Sequence, residues 1–90
     1  MTEQEIQQFG QSLAERFKQV RNDYAAAEQR FYEAIHSTQS TRSKVLELER
    51  KRVQAQAIYE TWVEVTESLP IEIKEAFTDH YQKISPMEAK

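Results

Sequence analysis

The stretch Ile6–Ile35, IQQFGQSLAERFKQVRNDYAAAEQRFYEAI, decides the fold. Ile6, Leu13, Val20, Ala27 and Ala34 recur every seven residues, and Gly10, Phe17, Tyr24 and Phe31 recur between them. With the first set at heptad position d, the second falls at a. That spacing gathers both sets on one face of a helix and scatters them over both faces of a strand. At about 1.5 Å of rise per residue the stretch makes a rod on the order of 45 Å long, which needs a partner along its whole length. Rings at a beside d residues that shrink from Ile and Leu to Ala suit a parallel two-stranded zipper poorly, because that assembly prefers β-branched a and Leu d. They suit helices that approach closely in a bundle, and the stripe reads as core packing.

Immediately after this stretch comes His36–Ser43, HSTQSTRS, which has no large apolar residue. Its hydroxyl and amide side chains compete with helix by bonding their own backbone, so a hairpin loop is expected there. A rival reading counts the heptad straight through. Val45, Tyr59 and Thr66 then fall at a, and Leu48, Ala55, Trp62 and Leu69 at d, which describes one continuous helix. Against it, Thr38, Thr41 and Arg52 would be polar at the seam, while Leu46, Val53, Ile58, Val63 and Val65 lie off it. The apolar face of this half is too wide for a two-stranded coil. A turn near Ser40 also sets Arg16, Lys18 and Arg21 opposite Glu60, Glu64 and Glu67, and Glu28 opposite Arg52. Complementary flanks favour an antiparallel pair.

The boundaries follow from capping and breaker signals. Thr2 and Glu5 match a capping box that opens helix 1, expected over about 3–36. Gly10 inside it costs roughly 1 kcal/mol against Ala and marks a point of close contact. After a loop at about 37–42, helix 2 is expected over about 43–68, ended by Leu69 and Pro70 because the residue before a proline is pushed out of the α region. Pro70 then suits the first turn of helix 3, expected over about 70–85. There Ile73, Phe77, Tyr81 and Ile84 share one side and Glu72, Glu75 and Asp79 the other. Pro86 is expected to close this helix, and Met87–Lys90 to fray. The class is therefore all-α: a single domain over residues 1–90, with a long antiparallel helical hairpin and a short third C-terminal helix packed across its open end.

Composition agrees. Hydrophobic residues make up 39% and charged residues 30%, with one Gly and two Pro, which leaves little material for turns outside long helices. So short a chain makes a marginal core, and it has no cysteine to staple it. Self-association buries more surface, so a homodimer forming a helical bundle is expected. The lack of Cys suits a reducing compartment, and no run is apolar enough for a signal peptide or a membrane span, so a cytoplasmic location and no membrane partner are expected. A formal charge of -3 argues against nucleic-acid binding by the whole chain.

Few residues carry chemistry. Glu33 and His36 have the Glu-x-x-His spacing of helical di-iron sites, but they fall at c and f, away from the seam, and no second pair exists. His80 is a lone histidine at the margin of an amphipathic face. Glu47 and Glu49 sit among Arg42, Lys44, Arg50, Lys51 and Arg52, so this basic run reads as a solvated face and not a phosphate site. Tyr59, Trp62, Phe77 and Tyr81 read as core at helical spacing. No phosphate loop, dinucleotide turn, nucleophile elbow or zinc motif is present, and no catalytic residue, metal or cofactor is expected. The remaining candidate is the acidic stripe Glu72, Glu75 and Asp79, which would receive a basic partner surface. The expected function is a small non-catalytic protein–protein interaction module: an adaptor, inhibitor or assembly factor. The alternatives are a helical enzyme whose site is assembled at a dimer interface, and a structural coiled-coil spacer.

Overall fold

The computed structural model describes residues 1–84, which form three helices, α1 (Glu3–His36), α2 (Arg42–Glu67) and α3 (Ile71–Ile84). Pro86 and Met87–Lys90, with the helix stop and fraying expected of them, lie outside the described residues. At the start of α1 the capping box closes in both directions. Glu5 N–H donates to Thr2 Oγ1 at 3.2 Å, and Thr2 N–H donates to Glu5 Oε1 at 3.1 Å. The bond from the Thr2 backbone, then that from its hydroxyl, hold the Glu5 carboxyl below its ordinary pKa of 4.5. Thr41 caps α2 by accepting from Lys44 N–H at 3.1 Å. Pro70 stands just outside α3, and its carbonyl accepts from Lys74 N–H at 2.8 Å, which is the role of an N-cap.

The chain turns back at residues 37–41, and α2 lies antiparallel along α1. Ring contacts mark the register: Tyr24 stacks on Tyr59 at 5.4 Å, and Arg52 lies over the Phe31 ring at 5.1 Å. The continuous-helix reading is thereby excluded. From Pro70 the chain reverses again, and α3 runs beside the N-terminal half of α1 in the same direction. Gly10 faces Ala76, Phe17 meets Phe77 and Tyr81, and the Lys18 ammonium donates to the Ile84 carbonyl at 2.8 Å. Helix α1 is therefore the spine, packed by both other helices.

The core is small and aromatic. Ala14, Phe17 and Phe77 are buried, and Leu13, Tyr59, Trp62, Val63, Leu69, Tyr81 and Ile84 pack around them. Phe17 is its hub, edge-on to Phe77 at 5.7 Å and to Tyr81 at 5.2 Å, and tilted against Tyr59 at 5.8 Å. Each such pair contributes about 0.5–1.5 kcal/mol beyond the area it buries. Close docking of α3 depends on Gly10, where a Cβ would stand 2.7 Å from Ala76 Cβ. The heptad pattern does not single out Ala14, one position past the d residue Leu13, yet it is fully buried. A second helix on α1 widens the buried arc beyond a single seam.

The expected charge ladder between α1 and α2 forms differently. The Arg21 guanidinium donates to Tyr81 Oη at 2.7 Å, and Lys18 reaches the end of α3, so both cations brace α3. Glu60 accepts from Gln56 on its own helix, and neither Glu64 nor Glu67 has an ion pair among the described residues. Arg52 pairs with Glu49 at 3.8 Å while covering Phe31. A third helix thus captures groups that two-helix reasoning assigns to the second. The body measures 55 × 24 × 15 Å, with a radius of gyration of 16.6 Å. A compact chain of this length would have about 12 Å.

Candidate functional site

Two surfaces stand out, one acidic and one apolar. On α3, Ala76, Phe77 and Tyr81 turn toward α1, while Glu72, Glu75 and Asp79 stay exposed along one side. The three do not form an isolated stripe. They line a cleft of about 360 Å³ together with Ala76 of α3 and Glu3, Ile6 and Gln7 from the first turns of α1. Glu3 brings a fourth carboxylate to the same opening, and none of the four is in an ion pair among the described residues. Sequence reasoning misses Glu3. Its link to α3 depends on the parallel docking of two segments about seventy residues apart, which no local pattern encodes. At the margin, His80 Nε2 lies 3.1 Å from Gln7 Oε1, so the histidine helps tie α3 to α1.

The second surface is the side of α2 turned away from α1. Leu46, Val53, Ile58 and Val65 are 55%, 49%, 53% and 47% exposed. Ala57, Ile58, Thr61 and Trp62 line a shallow apolar depression of about 240 Å³. These are largely the residues that fall off the heptad seam. Helix α2 is apolar on two sides and uses only one of them within the chain.

The charges of α2 also run against its own dipole. Its first turn has no acidic residue and carries Arg42 and Lys44, while its last turn has no basic residue and carries Glu64 and Glu67. A helix macrodipole favours the reverse arrangement.

The other candidates stay apart. Glu33 accepts from Gln29 at 3.0 Å, and its neighbour His36 is exposed. Among the described residues no three His, Asp or Glu side chains group in a way that could hold a metal ion. Lys51 pairs with Glu47 at 3.3 Å, which offsets part of the basic run. Burial, then the neighbouring Glu28 carboxylate, pushes the Tyr24 phenol above its ordinary 10.0, and its ring stacks on Tyr59. No described helix is long and apolar enough to cross a membrane. The fold and these surfaces define the class: a three-helix protein built as a long hairpin with a short third helix on its spine. No family model, curated protein or solved structure matches the chain.

Proposed function

We propose that the chain is a small non-catalytic interaction module, an adaptor, inhibitor or assembly factor, whose acidic cleft between α1 and α3 receives a basic segment of a protein partner. The observation that carries this reading is the gathering of Glu3, Glu72, Glu75 and Asp79 around one opening. Like charges placed together without partners raise the local negative potential, which speeds the encounter with a basic surface and makes it salt-sensitive. The reading includes a cytoplasmic setting and a homodimer. In support of the dimer, a body 15 Å across in its thinnest direction leaves α2 half covered. A spacer is less well supported, because the hairpin spends two long helices on a single 55 Å length.

Replacing Glu72, Glu75 and Asp79 together by Lys tests the cleft. Partner capture from the native source, identified by mass spectrometry, should be lost, while the helical circular dichroism and the oligomeric mass stay as in the wild type. Wild-type capture with an unchanged salt dependence would show that the carboxylates only coat the surface.

A further inference from the structure

We infer that the outer face of α2 is the self-association surface, and that a second copy docks there antiparallel about a two-fold axis at Ala57. This rests on the dimer reading above and adds the surface, the orientation and the register.

The apolar content of the face is Leu46, Val53, Ala57, Ile58 and Val65, all exposed. Charge selects the occupant. Residues 42–54 contain five basic and two acidic side chains, whereas residues 55–67 contain three glutamates and no basic side chain. A second α2 laid parallel would set basic half on basic half and acidic half on acidic half. Laid antiparallel, each half meets its opposite, which is the complementarity that sets partner choice and orientation between helices. This arrangement accounts for charges that oppose the dipole of α2 itself.

The register follows from spacing. Arg50 and Glu64 each lie seven residues from Ala57, and a seven-residue step drifts by only about 20° around a helix, so all three share one line. All three are exposed, and neither charged side chain has an ion pair among the described residues. A two-fold axis at Ala57 brings Arg50 of each copy to Glu64 of the other. The small side chain at the axis lets the two helices approach closely. Val53 then faces Thr61 across the interface. Such a contact is isologous and closes at two copies.

Sedimentation equilibrium on the full chain tests the inference, with circular dichroism confirming that each variant folds. The wild type should sediment at about twice its 10.6 kDa. Arg50→Glu alone and Glu64→Arg alone each place like charges in both symmetric contacts and should weaken the dimer about tenfold or more. An equimolar mixture of the two variants should restore it, because each then supplies what the other lacks. The native chain has no cysteine, so Ala57→Cys should give a single 57–57 disulfide on mild oxidation. A wild type that stays monomeric throughout overturns both the dimer reading and this inference. A wild-type dimer that ignores both single variants, or forms no 57–57 disulfide, overturns the α2 surface and leaves the dimer reading standing. Single variants that weaken the dimer without rescue on mixing overturn the antiparallel pairing.

Discussion

Gly10→Ala is the substitution in which local and tertiary physics disagree most sharply. In an exposed helix interior the change should stabilise by about 1 kcal/mol, since Ala loses less backbone entropy than Gly. Here the added Cβ would stand 2.7 Å from Ala76 Cβ, 2.8 Å from the Ala76 carbonyl carbon and 2.9 Å from the Phe77 nitrogen. Carbon contacts are comfortable at roughly 3.5–4.0 Å, so α3 must retreat by about 1 Å. Two of the three atoms are backbone, and no rotamer change removes them. A gap of this size forfeits roughly a quarter to a half of the dispersion energy of each affected contact, and overpacking in general costs about 1–3 kcal/mol. Set against the propensity gain, the expected net loss is about 0–2 kcal/mol. Urea unfolding at fixed protein concentration measures it, followed by circular dichroism and by the fluorescence of Trp62, the single tryptophan, which packs against the core. Adding Ala76→Gly should not restore wild-type stability, because the two backbone contacts remain and a glycine inside α3 costs about 1 kcal/mol of its own. A Gly10→Ala variant that gains the full ~1 kcal/mol of an ordinary helix position would refute close docking of α3 on α1.

Phe17 and Phe31 occupy equivalent heptad positions but different environments. Phe17→Ala should cost about 3–5 kcal/mol in the same urea assay because its ring is the hub of the core. Phe31→Ala should cost less, about 1–2 kcal/mol, since that ring is half-buried and its main charged contact is the Arg52 guanidinium; equal losses would contradict the asymmetric core. The Glu5 capping box sets a pH dependence. Its folded pKa lies below 4.5, so its contribution is present above that value and lost as pH falls through the folded pKa. The difference in unfolding midpoint between wild type and Glu5→Ala should therefore be seen at neutral pH and vanish in acid, and a difference that persists in acid would refute the assignment.

The helical class, the hairpin and the third helix are legible in the sequence because each has a local signature. The seven-residue period marks α1, the polar run His36–Ser43 marks the turn, and Pro70 marks the break before α3. Gly10 stands out as a close contact for the same reason, being a costly residue in the middle of a long helix. The stripe Glu72, Glu75 and Asp79 is legible as one exposed side of α3, since a single amphipathic helix shows which residues share a face.

The destinations of particular side chains are not legible. A two-helix picture assigns Lys18 and Arg21 to glutamates on α2 because it offers no other partner, and both reach α3. Ala14 is buried and Glu3 joins the acidic cleft for the same reason: α3 docks parallel to the start of α1. Periodicity along the chain determines which face of a helix is apolar, and it depends only on bond geometry within that helix. Which neighbour covers that face, and which long side chain reaches which carbonyl or hydroxyl, depends on docking between segments distant in sequence. That is why the sequence by itself determined three amphipathic helices and their order, while only the tertiary structure decided that α1 is the spine, that α3 closes on Gly10, and that one side of α2 is left uncovered.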